Sequence, residues 1–317
     1  STLTEWSAGI QGVTCQGCHM PHDPDVANTA DLQLFPSTVG VAGGWHRPAP
    51  SVRRHVWFGP RSTGDPLQGL AGKVALETAL ADGVLTVTAE TRNAGAGHAL
   101  PTGDPLRSVL LVVEATCDGA SLLPVGGDVV PDFGGALDRK AAGEDWTIWP
   151  GAAAGDVLRV VARPGGFHDY AGPGPFGDGS FDAAAKGMPV ETYAGRATIT
   201  GVEGDVVTLD GPLPEGAVAY RVPGQGAADL AGAPGFGFAK VLVGPDGRRM
   251  VPHFLAVDVA SDNRLLQGNA WTTTHLFEAA CDEPAVRARL LYRPYPLDLA
   301  RERLWEVPER VLFDTGE

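Results

Sequence analysis

Two cysteines and a histidine lie close together near the start of the chain, at Cys15, Cys18 and His19. Their order gives a C-x-x-C-H pattern. Two thiols at this spacing can each form a thioether with a vinyl group on the same edge of a porphyrin, and the histidine that follows is then carried beneath the iron. The pattern therefore predicts one covalently attached haem c, with His19 as the proximal iron ligand.

Zinc and a redox dithiol are the alternative interpretations of the same residues. A zinc site would use Cys15, Cys18 and either His19 or His22, but structural zinc usually draws its ligands from two separated pairs. The chain has four cysteines and no second closely spaced pair. A thioredoxin-like dithiol needs a βαβ setting, which the Gly- and Pro-rich surroundings do not provide. The spacing favours haem.

A haem that serves only electron transfer needs a second axial ligand, because six-coordination blocks outside ligands. Met20 follows the proximal histidine directly and cannot reach the opposite haem face. We predict His55 as the distal ligand, because it lies in an irregular segment rich in Trp, Pro and Arg that can wrap a porphyrin. Its alternative is an ordinary loop histidine. In the same segment, Arg53 or Arg54 can pair with a haem propionate, and Trp57 can cover the ring.

Beyond residue 70 the sequence changes from irregular to strongly β-forming. Asp82-Gly83 separates two alternating apolar segments, which predicts a hairpin with a type I′ turn. Many short strands with turn signals between them predict a mainly-β fold. We expect a haem-binding segment over 1–70 and an antiparallel, immunoglobulin-like β-sandwich over 71–317. Its strands are predicted at 74–81, 84–91, 108–115, 157–162, 196–200, 205–210, 217–222, 238–243, 250–260, 271–279 and 286–292.

The two remaining cysteines, Cys117 and Cys281, each follow a predicted strand. A disulfide that ties two strand ends is plausible, provided that the two Cα atoms approach within about 7 Å. Two buried free thiols are the alternative. Because haem attachment to C-x-x-C-H takes place outside the bacterial cytoplasm, where disulfides also persist, the two predictions support each other.

The chain is acidic, with a formal net charge of −14 at pH 7. Nucleic acids and anionic membrane surfaces are disfavoured as partners, because binding to them needs clustered Lys and Arg. No stretch approaches the roughly 20 apolar residues that span a bilayer. The sequence begins at Ser1, and we expect an exported, periplasmic or extracellular protein from which a signal peptide has been removed.

The segment 93–103, Asn-Ala-Gly-Ala-Gly-His-Ala-Leu-Pro-Thr-Gly, resembles the N-x-G-x-G-H-x-(L/F)-P-T-G signature of bacterial multihaem cytochromes c that end in a β-sandwich. In such proteins the attachment site often reads G-V-x-C-x-x-C-H-M-P, as residues 12–21 do here. The segments 251–254 and 262–266 look like the closing part of the same domain. The resemblance spans most of the chain, which departs from the family in having a single attachment motif.

The resemblance implies electron transfer by a bis-histidine haem, with His55 matching the usual distal ligand. His98, within the signature, has two interpretations. It either bonds to the backbone and braces the connection between strands, or it ligates a haem of this chain or of a neighbouring one. Gly95 and Gly97 would allow the close backbone approach that such a ligand needs.

These features predict an electron carrier rather than an enzyme. Because one haem cannot form an electron wire, its expected partners are other redox proteins, in particular multihaem cytochromes. One alternative is a haem enzyme with an open distal position, in which His46, His98 or His168 acts as acid or base. Another is an adhesion, assembly or carbohydrate-binding β-sandwich in which the haem is only structural.

Overall fold

The computed structural model describes residues 13–22, 52–53, 69–168, 188–224, 229–279, 281–306 and 309–316. The chain forms two compact units, one from Ile10 to Gln68 and the other from Gly69 to Glu317 together with Ser1–Gly9. In the first unit, the described residues form one short helix, α1 (Cys15–His19). The second unit is built almost entirely of antiparallel strands, which confirms the predicted mainly-β class.

The second unit begins with the predicted hairpin. Strands β1 (Gly72–Ala81) and β2 (Val84–Asn93) pair over their full length without a break in register. The turn residues Asp82 and Gly83 have φ angles of 52° and 75°, as a type I′ turn requires. Leu85, Val87 and Ala89 of β2 alternate with polar residues and are fully buried on one face. The turn dipeptide and the alternation together fix the register of the hairpin.

Two sheets pack face to face into a sandwich and share one hydrophobic core. The longest buried run of that core comes from the predicted apolar strand β3 (Ser108–Cys117). The first sheet has the strand order β1-β2-β15-β5, with β5 (Pro124–Gly127) and β15 (Ala270–Glu278). The second has the order β14-β13-β3-β16-β17, with β4 (Ala120–Ser121) also paired to β3, β13 (Gly235–Val243), β14 (Asp258–Asp262), β16 (Ala285–Arg293) and β17 (Arg310–Asp314).

A third, five-stranded sheet is inserted between β5 and β13, where we had predicted further strands of a single sandwich. It contains β6 (Asp138–Ala141), β7 (Val157–Ala162), β10 (Thr192–Glu203), β11 (Val206–Leu209) and β12 (Val218–Val222), in the order β11-β10-β7-β12-β6. Two further clusters of buried residues form its core, around Tyr220 and around the fully buried Trp149. Two-residue strands β8 (Phe167–His168) and β9 (Met188–Pro189) pair with each other.

The predicted strand at 250–260 is wrong in its first half. Met250 has a left-handed φ of 55°, and Pro252 has no N–H to donate to a strand ladder. A 3₁₀ turn at His253–Leu255 follows, and strand β14 begins only at Asp258. The sequence analysis also did not predict the short helix α2 (Leu297–Arg303).

Cys117 and Cys281 form the predicted disulfide, with their Cα atoms 5.9 Å apart. Cys117 ends β3 and Cys281 precedes β16, and these two strands are neighbours in the sheet, with Thr116 paired to Ala285. The bridge therefore closes the open ends of an adjacent strand pair. Within the described ranges, no helix is long and apolar enough to cross a membrane.

Candidate functional site

The C-x-x-C-H residues occupy one short helix, α1. It begins after Thr14, whose hydroxyl oxygen accepts a hydrogen bond from the backbone N–H of Gly17 at 3.1 Å. A threonine at this position satisfies an amide that the first helical turn leaves without a partner. At the other end, the N–H of Met20 donates to the carbonyl of Gln16 at 2.9 Å. The cap explains why so short a segment becomes helical.

Helical geometry places the two thiols of α1 side by side. Cys15 and Cys18 are three positions apart and His19 is four positions after Cys15, so the three side chains lie on neighbouring parts of one helical surface. Both cysteines are free thiols, Cys18 exposed and Cys15 half-buried. The donor set of two adjacent thiols and one imidazole therefore fits a covalently attached haem.

Arg53 closes the carboxyl end of α1 from a distant part of the sequence. Its Nη1 donates to the carbonyl oxygens of Gln16 and Met20, each at 2.9 Å. Arg53 also forms an isolated antiparallel bridge with His22. Since the last carbonyls of a helix carry partial negative charge, a guanidinium at this end stabilises the turn. The structure thus brings Arg53 to the motif, while its pairing with a haem propionate stays a prediction.

Three other predicted haem-pocket residues, Arg54, His55 and Trp57, lie outside the described residues. The choice of His55 as distal ligand therefore stays a prediction.

His98 takes part in a network of bonds to the backbone. Its Nδ1 lies 2.9 Å from the carbonyl oxygen of Ala99. Because a carbonyl only accepts, Nδ1 carries the proton in this arrangement and Nε2 carries the lone pair. The ring of His98 thus bonds to the backbone of the next residue, while its role as a brace or as a haem ligand stays a prediction. The same tautomer is the one in which metal-ligating histidines are commonly held, so the two interpretations do not exclude each other.

Asn93 organises the segment that carries His98. Its buried amide donates to the carbonyl oxygens of His98 at 2.8 Å and Leu265 at 3.1 Å, and its Oδ1 accepts from the N–H of Ala96 at 3.1 Å. Next to it, Leu100 exchanges two backbone bonds with Leu265. Asn93 therefore joins segment 93–103, which resembles the family signature, to segment 262–266, which we had compared with the closing part of the same domain.

His275, in strand β15, lies in the core of the β-sandwich. Its Nδ1 lies 3.0 Å from the carbonyl oxygen of Asp128, and its Nε2 lies 2.9 Å from the hydroxyl of Thr273. The residue is fully buried, and burial lowers its pKa from 6.5 to about 4. With both ring nitrogens bound to protein groups, His275 is a neutral core histidine.

One role in the site was missed by the sequence analysis. Arg53 was predicted as a propionate partner, and its two bonds to the carbonyl end of α1 were not foreseen. No local signal reveals them, because they depend on how residues 52–53 fold back onto the motif.

Within the described part of the chain, no three His, Cys, Asp or Glu residues are grouped so that they could hold a metal ion.

Comparison with known proteins gives few matches. Neither a protein-family model nor a curated protein sequence matches the chain. A solved penta-heme cytochrome c552 from Thermochromatium tepidum is similar to it, with 16% sequence identity and a TM-score of 0.44. That match covers 99% of this chain and 49% of the other, so the chain spans about half the length of this similar structure.

Proposed function

We propose that the protein is a monohaem c-type cytochrome, with one haem c bound covalently through Cys15 and Cys18 and with His19 as the proximal iron ligand. The observation that carries the proposal is the placement of two free thiols and a histidine on the single turn α1. The other two cysteines are joined in a disulfide. The chain therefore has one pair of thiols free for attachment.

Five described residues in or near α1 have a defined task in this proposal. The two thiols hold the porphyrin edge, and His19 binds the iron. Thr14 and Arg53 hold the two ends of the turn, so that the two attaching thiols and the iron-binding imidazole keep their relative positions. We assign the distal position to His55, with His98 as the alternative, and the haem surroundings to Arg53, Arg54 and Trp57. When bound, the haem supplies reversible one-electron chemistry.

We further propose that the protein carries electrons rather than catalysing a reaction, as an accessory subunit or partner of a larger redox assembly. A single haem must pass its electron to another centre, and multihaem cytochromes are the partners that suit it. The formal charge of −14 favours transient docking on a basic surface, because charge complementarity raises the encounter rate more than the affinity.

The same proposal assigns the protein to an oxidising compartment, the periplasm or the cell exterior. The Cys117–Cys281 disulfide supports this location, because disulfides of this kind persist outside the cytoplasm.

Covalent attachment is tested by producing the exported chain in a host with a c-type maturation system. We expect a pyridine haemochrome spectrum and a mass equal to the polypeptide plus one haem. Cys15→Ala and Cys18→Ala should each lose one thioether. Cys117→Ser combined with Cys281→Ser is the matched control, since it removes two cysteines and leaves the haem in place. A colourless wild-type protein with the bare polypeptide mass would overturn the proposal.

Electron transfer and catalysis are separated by the state of the iron. A bis-histidine carrier gives a low-spin spectrum in both oxidation states that does not change when cyanide or carbon monoxide is added. His55→Ala should convert it to a high-spin, ligand-binding form, whereas His98→Ala should leave it low-spin. Loss of the low-spin form in His98→Ala alone would move the distal assignment to His98, and ligand binding by the wild type would favour a haem enzyme.

A further inference from the structure

Among the residues that the structure describes, strand β1 is an open edge of the first sandwich sheet. The register of its hairpin decides which backbone groups face outward. In a two-residue hairpin the residues that flank the turn, Ala81 and Val84, exchange hydrogen bonds with each other. Every second residue of β1 from Ala81 backwards therefore bonds to β2. The N–H and C=O groups of Leu76, Thr78 and Leu80 point away from the sheet.

Backbone hydrogen bonds at the far end of the hairpin agree with this alternation, in which odd-numbered residues of β1 bond to β2 and even-numbered ones face outward. The N–H of Ala94 donates to the carbonyl of Ala71, an odd-numbered residue, at 3.1 Å. The carbonyl of Asn93 instead accepts from Gly268, on the opposite side of β2. In the described part of the chain, β1 pairs with β2 alone.

Other edge strands of the three large sheets carry features that discourage pairing with another chain. Such features include short length, Pro, charged side chains and β-bulges. These strands have four or five residues each, and four of them contain or adjoin a register shift. Strand β1 has ten residues, no proline and an unbroken register. It is therefore the edge best suited to accept a further strand.

The second half of β1 is also accessible. All residues from Glu77 to Ala81 are exposed, and Leu80 retains 42% of its surface exposed. Glu77 is the one charged residue of this half, whereas Lys73 in the first half lies over the ring of Phe313, 4.9 Å from its centroid. The side chains of this accessible half of β1 are thus mostly small or apolar, and only one of them is charged.

We propose that two copies of this chain associate through antiparallel pairing of β1 with β1 of the second copy, about a two-fold axis at Thr78. In this register Thr78 faces Thr78 of the other copy, and Leu76 faces Leu80. Three outward-facing pairs then exchange about six backbone hydrogen bonds. The contact extends the first sheet across both copies and covers the exposed Leu80.

Charge disfavours the neighbouring register on one side, whereas on the other side, with the axis at Ala79, Leu76 would face the turn residue Asp82 and lose its strand partner. Moving the axis by one residue, to Glu77, puts Glu77 opposite Glu77, and like charges directly opposite each other are destabilising. With the axis at Thr78, Glu77 instead faces Ala79 of the other copy. A strand that is complementary to itself in one register favours a second copy over an unrelated extended peptide, because the two-fold contact pairs the outward groups of Leu76, Thr78 and Leu80 in both copies at once.

Position 79 offers a matched pair of variants. Ala79→Lys places a cation opposite Glu77 of the other copy, whereas Ala79→Glu places a second anion there. Both changes are on an exposed side chain, so neither disturbs the core. In sedimentation equilibrium of the haem-loaded full chain, we expect a monomer–dimer equilibrium whose dissociation constant falls in Ala79→Lys and rises about tenfold in Ala79→Glu.

Residue-resolved hydrogen exchange supplies the second readout. As protein concentration rises, the amides of Leu76, Thr78 and Leu80 should become protected, whereas those of Glu77 and Ala79 are protected at every concentration. Thr78→Pro removes an outward N–H that β2 does not use and should give a monomer. A wild type that stays monomeric at all concentrations, or two Ala79 variants with equal dissociation constants, would overturn the proposal.

Discussion

His275 places a titratable group in the core of the β-sandwich. The unfolded chain binds a proton on this histidine below about pH 6.5, but the folded chain does not until about pH 4. Between these values the unfolded state binds more protons, so stability falls as the pH falls through this window and is complete above it. This difference between the unfolded and folded pKa values corresponds to roughly 3 kcal/mol of unfolding free energy.

The prediction is that unfolding free energy, measured by urea denaturation, drops between pH 7.5 and pH 4.5 in the wild type and drops less in His275→Gln. Asp128, whose pKa is raised by burial, acts in the opposite direction, because its folded form gains a proton first as the pH falls. It is present in both proteins, so their difference isolates the histidine. Parallel pH profiles would show that His275 does not titrate with unfolding.

Residues also differ in how far the sequence reveals them. The C-x-x-C-H turn is readable because its two thiols, its histidine and its capping Thr14 are all local. The neutral state of His275 is not readable, since its partners depend on the pairing of β15 with β5 and β2. Arg53 is similar, because its contact with Gln16 joins positions that are far apart in the chain.

At the scale of elements, the side chain of Asn93 holds the carboxyl end of strand β2 to its neighbouring segments. Asn93 is fully buried and makes three hydrogen bonds to the backbone of neighbouring segments. We expect Asn93→Ala to lower the unfolding free energy by about 2–3 kcal/mol, because two carbonyls and one N–H lose their partner. Chemical denaturation of the wild type and variant measures the loss.

Thr91 is the matched control on the same strand and face. It is equally buried, but its hydroxyl has no hydrogen-bond partner in the described structure. Thr91→Val removes a buried polar atom that gains nothing from burial, so it should leave stability within about 0.5 kcal/mol or raise it. Equal losses in the two variants would mean that packing, not hydrogen bonding, makes Asn93 important.

The elements themselves were predictable where the signal is local. Asp82-Gly83 gave the β1–β2 hairpin, and the apolar run gave β3. The division of the strands into three sheets was not predictable, because alternation looks the same in every sheet. It depends on long-range pairs such as Leu85 with Phe277. The 3₁₀ turn at His253–Leu255 was missed although Pro252 marks it, since the apolar residues around it mimic a strand.

At the scale of the whole molecule, the two cysteine pairs belong to different compact units. Cys15 and Cys18 lie in Ile10–Gln68, and the disulfide lies in the unit that contains the three sheets. We therefore treat haem attachment and disulfide stabilisation as separable properties. A reductant that opens the disulfide leaves thioether bonds intact, because these are not exchanged by thiols.

The disulfide is expected to stabilise the sheet unit by several kcal/mol. It closes a loop with a sequence separation of 164 residues, for which the chain-entropy relation gives about 5 kcal/mol. Cys117→Ser combined with Cys281→Ser should lower the unfolding free energy of this unit by that order while the haem absorption spectrum stays unchanged. Urea unfolding followed by tryptophan fluorescence and by haem absorbance separates the two effects. A fluorescence transition that does not move would show that β3 and β16 hold the strand ends together without the bridge.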